Sequence, residues 1–157
     1  YTDQQRLEVT IPSPGDTWEL GGAQITVLGP VKSYAETNDT SIVLKVVYGE
    51  TSFLFTGDME KEAENDMLDY WDNDDLFRVD VLKVGHHGSY TSTSYAFLWN
   101  VMPQYAVISC GKGNSYGHPH GVVIQRLQSI GATVFMTATD GEVVLECNKS
   151  AIWHIED

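Results

Sequence analysis

The first third of the chain consists of short runs in which hydrophobic and polar residues alternate, a pattern typical of β-strands with one buried face. Five such runs precede residue 56, at 7–11, 17–20, 23–28, 41–48 and 51–55. Gly21-Gly22 separates the second and third runs, and Gly49-Glu50 separates the last two. Since glycine in a two-residue link favours a tight turn between antiparallel strands, each of these pairs predicts a hairpin.

After residue 56 the pattern changes to alternating helices and strands. Hydrophobic residues recur at helical spacing from Met59 to Trp71, with acidic residues on the opposite face, which predicts a helix. Thr91 or Ser92 is the expected N-cap of a second helix. The remaining predicted elements are helices at 92–101 and 122–130 and strands at 79–84, 105–109, 133–137 and 142–147. This order predicts an α/β (α+β) fold, with a mixed sheet and helices on at least one face.

Composition narrows the classes of protein that this sequence fits. The chain has 157 residues, of which 42% are hydrophobic, and we interpret residues 1–157 as a single domain. No apolar run approaches the roughly 18 residues of a membrane span. The net charge of −13 disfavours direct binding to nucleic acids or anionic membranes unless metal ions neutralise the contact.

The chain opens at Tyr1 without an initiator Met, so we expect it to belong to a longer protein. Cys110 and Cys147 are expected to be buried rather than bridged.

Candidate chemistry follows two predicted strands, because loops at strand ends expose side chains on a rigid base. Thr56-Gly57-Asp58 presents a carboxylate, although Asp58 could instead cap the next helix. Gly85-His86-His87-Gly88 follows the next strand. A neutral imidazole is a common metal ligand and general acid or base, and the alternative is a pair of loop histidines bonded to the backbone. An Asp and a His at the ends of neighbouring strands predict part of a metal site with oxygen and nitrogen ligands.

Two other loops offer polar groups. Residues 111–120 contain Lys112, His118 and His120, so this loop could hold an anion, or it could be a long turn leading through Pro119 into a helix. Residues 38–41, Asn-Asp-Thr-Ser, are interpreted as ordinary turn chemistry.

Taken in order, these segments resemble the metallo-β-lactamase superfamily. The likeness is carried by residues 38–44, 53–58, 80–89, 106–109 and 114–120. It is greatest for the branch that contains the C-terminal domain of the DNA-internalisation competence protein ComEC and the secreted hydrolases similar to it. The resemblance implies the C-terminal half of an αββα sandwich and a bacterial, extracellular or cell-surface protein.

The resemblance also implies roles for five residues. Asp58 would bridge two divalent metal ions, Zn²⁺ or Mn²⁺. His86 would bind the second ion, with His87 as the alternative ligand. Lys83 and His118 would line the site as catalytic residues, contacting a substrate phosphate or donating a proton. Metal-assisted hydrolysis is the chemistry of the superfamily.

The sequence departs from the superfamily in lacking its main metal motif, His-x-[His/Asp]-x-Asp-His. That motif belongs to the N-terminal half of the fold, so we expect this missing half to be the chain's partner. Two ligands are too few for a zinc site. We therefore expect the chain alone to be inactive or nearly so and to bind metal weakly. It should also expose an apolar sheet edge or face that permits self-association.

The function implied for the intact parent is that of a phosphodiesterase or nuclease. One alternative is a hydrolase of another ester, such as a choline phosphodiester or a lactone, since an acidic surface favours a small or neutral substrate over polymeric DNA. Another alternative is a non-catalytic interaction domain that retains the fold.

Overall fold

A computed structural model of the chain describes residues 9–155, apart from the side chain of Asp74. In this part of the chain, seven strands form one sheet in which the spatial order equals the sequence order. They are β1 (Thr17–Leu20), β2 (Ala23–Gly29), β3 (Val43–Tyr48), β4 (Thr51–Phe55), β5 (Val81–Lys83), β6 (Tyr105–Ile108) and β7 (Thr133–Met136). Strands β1 to β4 are antiparallel, and β4 to β7 are parallel. A separate antiparallel hairpin consists of β8 (Val144–Cys147) and β9 (Ile152–Ile155).

Helices connect the parallel strands and cover one face of the sheet. They are α1 (Lys61–Trp71), α2 (Asp74–Phe77), α3 (Tyr95–Val101), α4 (Gly121–Ser129) and α5 (Thr137–Asp140), with short 3₁₀ helices at Asn38–Thr40 and Gly85–Gly88. Leu54 and Leu82 of the sheet join Met67, Leu98 and Leu127 of the helices in one core, and each is almost completely buried. Burying side chains of this size stabilises the fold by roughly 2 kcal/mol each.

The other face of the sheet is only partly covered. Because side chains alternate between the faces of a strand, Phe53, Phe55 and Val107 point away from the helices. They line a groove of about 200 Å³ together with Leu145 of the β8–β9 hairpin. Phe55 remains 44% exposed. This face of the sheet is therefore apolar and in part exposed.

The structure confirms the mixed α/β architecture and both predicted hairpins. Of the strand predicted at 7–11, residues 7–8 lie outside the described residues and residues 9–11 form no strand. The predicted N-cap of α3 was wrong, since the hydroxyl of Ser94, and neither Thr91 nor Ser92, accepts a hydrogen bond from the Phe97 amide. Among the described residues, no helix has the length and apolar character needed to cross a membrane.

Candidate metal centre

The candidate site lies at the carboxyl ends of β4, β5 and β6. The parallel register places Phe55 beside Lys83, and Lys83 beside Val107, so the three strands end at the same level. Hydrogen bonds continue past the strand ends, from the Thr56 hydroxyl to the Lys83 carbonyl (3.0 Å) and from the His86 amide to the Gly57 carbonyl (3.1 Å). The loops that carry the predicted residues are therefore held against one another at this edge.

The Asp58 loop is held by the turn at 38–41. Gly57 has φ +55°, and a Cβ on it would lie 2.8 Å from Cβ of Ser41, so only glycine fits without displacement. The Asp58 amide donates a hydrogen bond to the Ser41 hydroxyl at 3.0 Å. Asp58 does not cap a helix, because α1 begins at Lys61 and no side chain accepts a hydrogen bond at its N-cap. The carboxylate of Asp58 is thus left available for other chemistry.

The turn at 38–41 does more than ordinary turn chemistry. Asp39 is buried, and its carboxylate accepts a hydrogen bond from the Glu60 amide at 2.8 Å. The Asn38 amide group and the Thr91 hydroxyl both donate to Oε1 of Glu60, at 3.1 and 3.0 Å. Glu60 is a residue of the site that sequence reasoning missed, and it lies two positions beyond Asp58.

Both adjacent histidines adopt a left-handed backbone conformation. His86 has φ 44° and ψ 45°, and His87 has φ 54° and ψ 23°. This conformation costs an ordinary L-residue roughly 1–2 kcal/mol, and such strain concentrates at functional sites. Two consecutive non-glycine residues in this region are therefore a structural sign of a site.

The two imidazoles point to different partners. Nδ1 of His87 lies 2.7 Å from the carbonyl oxygen of Ser109. Because a carbonyl oxygen only accepts, Nδ1–H is the donor of this hydrogen bond. Nε2, the other ring nitrogen of His87, lies 3.5 Å from Oδ1 of Asp58. Nδ1 of His86 lies 2.9 Å from Oε1 of Glu60, at an angle too poor for a hydrogen bond. The alternative expectation was that both loop histidines are hydrogen-bonded to the backbone. It holds only for Nδ1 of His87.

His118 joins the histidines through a loop that Asn114 organises. The Asn114 amide group donates to the carbonyl oxygen of His118 at 2.6 Å, and its oxygen accepts from the His118 amide at 3.0 Å. The His118 ring centroid lies 5.5 Å from that of His86 and 6.5 Å from that of His87. Burial, together with the neighbouring His120, lowers the pKa of His118, so the neutral ring is the form present at neutral pH.

Lys83 lines the neighbouring groove and is close enough to Asp58 for the two charges to interact. Its ammonium donates to the Val84 carbonyl oxygen at 2.7 Å, and Lys83 lines the groove on the partly covered face of the sheet. Burial lowers the pKa of Lys83, and the charge of Asp58 opposes that shift. The structure thus brings Asp58, His86, His87 and His118 together, while Lys83 faces the groove.

A pocket of about 300 Å³ opens beside the histidines. Its lining includes His87 and His118 with Asn114 and Tyr116. This volume is at the lower end of the range of small-molecule sites. Lys112 does not line the pocket, although its neighbour Gly111 does.

The donor set fits part of a divalent metal site. The 3.5 Å between a carboxylate oxygen and an imidazole nitrogen is compatible with two ligands on one ion, and the Ser109 carbonyl accepts the kind of outer hydrogen bond that orients a ligating histidine. Within residues 9–155, however, no three His, Cys, Asp or Glu side chains converge as a metal-binding group.

The buried carboxylate of Glu64 holds the segment that packs against the loop of the two histidines. Glu64 of α1 is 1% exposed and accepts hydrogen bonds from the amides of Thr93 and Ser94, the second at 2.9 Å. Burial raises the pKa of Glu64, and these hydrogen bonds oppose the shift. Ser92 packs so closely on Gly85 that a Cβ there would overlap its hydroxyl. No sequence motif marks Glu64, since its partners are backbone amides about thirty residues away.

Comparison with known proteins gives a consistent set of relatives. A model of the metallo-beta-lactamase superfamily matches residues 1–112. The chain is 40% identical over 130 residues to ComE operon protein 3 of Bacillus subtilis, covering 82% of this chain and 16% of that protein. It is 38% identical over 136 residues to Recombination protein 2 of Haemophilus influenzae (85% and 16%). It is 35% identical over 136 residues to Competence protein ComA of Neisseria gonorrhoeae (86% and 19%). The chain therefore spans less than a fifth of the length of these relatives.

A solved structure shares the fold. CmlA, a diiron β-hydroxylase from Streptomyces venezuelae, superposes with a TM-score of 0.50 at 12% sequence identity, covering 77% of this chain and 31% of that one. At this identity the likeness is evidence for the fold alone.

Proposed function

This chain belongs to the metallo-β-lactamase superfamily, as its motifs predicted, and we propose that it supplies Asp58 and His87 to the metal centre of a phosphodiester hydrolase. The observation that carries the proposal is the 3.5 Å between Oδ1 of Asp58 and Nε2 of His87, with the other ring nitrogen held by the Ser109 carbonyl. When bound, divalent ions such as Zn²⁺ or Mn²⁺ would lower the pKa of a water molecule and neutralise charge developing on the ester.

The proposal prefers His87 to His86 as the ligand that shares an ion with Asp58. His86 turns Nδ1 toward Glu60, which is itself held by Asn38 and Thr91. His118 lies on the wall of the same pocket and is our candidate for contacting the bound ester. Lys83 is a weaker candidate, because its ammonium is engaged by the Val84 carbonyl.

We propose further that the chain by itself is inactive. In the described residues no three candidate ligands converge, and the His-rich motif of the superfamily is absent from the sequence. The partner would be the missing N-terminal half of the domain, packed on the partly covered sheet face at Phe53, Phe55 and Val107. That the relatives are much longer than the chain is consistent with such a partner. Self-association through this face and a cell-surface location stay predictions.

The test compares this chain with the same chain joined to its N-terminal half. Bound metal is measured by mass spectrometry, and hydrolysis is measured with bis-p-nitrophenyl phosphate in the presence of Mn²⁺ or Zn²⁺. We expect activity in the joined form only. Asp58→Ala or His87→Ala should reduce that activity by roughly a hundredfold or more, since even loss of an outer hydrogen bond costs 10–100-fold. His154→Ala, at a histidine of β9 that stacks on Phe135, is the control.

Three results would count against the proposal. Stoichiometric metal and activity in the chain alone would mean that the centre is complete without the partner. Loss of activity on His86→Ala but not on His87→Ala would reassign the ligand. Hydrolysis of a lactone or carboxylic ester, with no phosphodiester hydrolysis, would favour the alternative ester substrates.

A further inference from the structure

Four residues with hydroxyl groups follow the two histidines, at 91–94, and three of them are almost completely buried. Ser92 and Thr93 are each 1% exposed, and Ser94 is 9% exposed. The hydroxyl of Ser94 caps α3, since it accepts the hydrogen bond from the Phe97 amide. Buried polar groups are normally hydrogen-bonded, so the partners of the other hydroxyls show what this segment does.

Ser92 contacts the loop of Asp58 and the loop of the two histidines with one atom. Its hydroxyl donates a hydrogen bond to the carbonyl oxygen of Met59, the residue after Asp58, at 2.6 Å. The same oxygen lies against Gly85, the residue before His86, where an added Cβ would overlap it. Oγ of Ser92 therefore fills the space between the main chains of the two loops, and it limits how closely they approach each other.

Thr91 links the same two loops a second time. Its hydroxyl donates to Oε1 of Glu60 at 3.0 Å and so accepts the hydrogen bond from the Ser89 hydroxyl at 2.9 Å. Its carbonyl oxygen accepts a hydrogen bond from the Lys61 amide at 3.0 Å. The Ser89 amide in turn donates to the His86 carbonyl oxygen at 2.8 Å. Thr91 is thus a connection between the two loops in addition to the direct hydrogen bond between their main chains.

Two charged side chains fix this segment on its other side. Glu64 of α1 accepts hydrogen bonds from the amides of Thr93 and Ser94. Nη1 of Arg126, on α4, donates to the carbonyl oxygens of Ser92 and Thr93 at 3.1 and 3.3 Å. Thr93 has φ 56°, which is rare for a β-branched residue, and its hydroxyl has no hydrogen-bond partner among the described residues. The strained conformation therefore serves the main chain of Thr93, which both charged side chains hold.

Resting on the proposed hydrolytic function, we propose that Thr91 and Ser92 are positioning residues of the metal centre, whose hydroxyls set the distance between the loop of Asp58 and the loop of the histidines. The candidate ligands Asp58 and His87 come from different loops, so the spacing of the loops decides whether both reach one ion. Ligand side chains have to be held within about 0.5 Å of their productive positions. Removing a hydroxyl group that fills the space between two main chains permits a shift of that order.

The first measurement uses the chain alone, without metal. The His86 amide donates to the Gly57 carbonyl oxygen, so its hydrogen exchange, followed by NMR, reports how firmly the two loops are held together. Ser92→Ala leaves the Met59 carbonyl without its donor, and we expect the exchange of the His86 amide to accelerate roughly tenfold. Thr91→Val keeps the shape of a partly exposed side chain and should accelerate this exchange roughly threefold.

Ser94→Ala is the matched control. It also removes one buried serine hydroxyl, but the hydrogen bonds of Ser94 lead to Phe97 and Glu64 rather than to either loop. We expect the His86 amide of this variant to exchange as in the unaltered chain. Urea unfolding compares the stability of the two alanine variants. If Ser92→Ala does not fold, Thr91→Val provides the comparison with the control.

The second measurement uses the form joined to the N-terminal half and Co²⁺, whose visible absorption depends on the geometry of its ligands. Ser92→Ala should weaken Co²⁺ binding roughly tenfold, the lower end of the effect of losing a group that orients a metal ligand, and should change the absorption spectrum. Ser94→Ala should do neither. A residue that only stabilised the fold would lower the free energy of unfolding without changing the spectrum of the bound ion.

Equal exchange of the His86 amide in Ser92→Ala and Ser94→Ala would overturn the proposal, and so would Co²⁺ binding that Ser92→Ala leaves unchanged. Failure of the proposed function has a different signature, because the unaltered joined form would then bind no Co²⁺ and hydrolyse no bis-p-nitrophenyl phosphate. In that case, exchange that is faster in Ser92→Ala than in Ser94→Ala would refute the metal centre and still support the two hydroxyls as the link between the loops.

Discussion

Replacing His87 by glycine and by alanine measures the strain that the candidate site holds in its backbone. His87 has φ 54° and ψ 23°, a conformation that costs an L-residue roughly 1–2 kcal/mol and that glycine adopts freely. Both variants lose the hydrogen bond to the Ser109 carbonyl, so their difference isolates the backbone. Glycine also gains entropy in the unfolded chain, which offsets about 0.4–1 kcal/mol. We expect His87→Gly to be about 1 kcal/mol more stable than His87→Ala.

The assay is urea unfolding, with the free energy of unfolding taken from the midpoint and slope. Asn65 provides the matched control, because it is exposed in the middle of α1 and has ordinary helical geometry. At Asn65 the glycine variant should be less stable than the alanine variant by about 1 kcal/mol. The order of stability should therefore reverse between the two positions. If alanine were more stable than glycine at position 87, as at Asn65, the left-handed backbone inferred for His87 would be refuted.

Three further predictions concern the structure around the site. Burial raises the pKa of Glu64 in the folded chain above its value in the unfolded chain. Between these two pKa values the folded chain holds a proton that the unfolded chain lacks. The free energy of unfolding therefore decreases as pH rises through that window, by up to about 1.4 kcal/mol per pH unit. Glu64→Gln should remove this component, measured as the difference between the two urea-unfolding series, and parallel series would contradict it. Gly57→Ala should destabilise the chain by about 2 kcal/mol, because alanine is strained in the left-handed backbone conformation and its Cβ would clash with Ser41. A decrease in the free energy of unfolding below about 0.5 kcal/mol would speak against that packing. Asn114→Ala should leave global stability within about 1 kcal/mol but speed limited proteolysis of the loop that carries His118, and an unchanged cleavage rate would show that Asn114 does not hold the loop.

The fold could be predicted in outline because hydrophobic periodicity is a local property. The hairpin β1–β2 follows from alternating residues on both sides of Gly21-Gly22, and the helix α1 follows from apolar residues at helical spacing. The ends of elements were less accurate. The helix α3 begins at Tyr95, three residues later than predicted, because Glu64 binds the amides of Thr93 and Ser94 and holds that segment out of the helix.

The candidate site could be predicted only as a collection of residues. Asp58 and the two histidines stand out because they follow apolar strands directly, and parallel strands end at a common edge. Glu60 carries no such signal, since its contacts with Asn38 and Thr91 come from distant parts of the chain. The assignment of metal ligands among these residues stays a prediction.

By itself, the sequence determined the order of strands and helices, the family, and the absence of the His-rich motif, because these depend on neighbouring residues and on the residues that are present. Only the tertiary structure decided that His87, rather than His86, turns a ring nitrogen toward Asp58. The reason is geometric. Adjacent residues in a left-handed turn point in different directions. Each ring faces a partner that follows another strand. The partner of His87 is the Ser109 carbonyl after β6, and the partner of His86 is Glu60 after β4. Such partners are distant in sequence, so no local pattern encodes them.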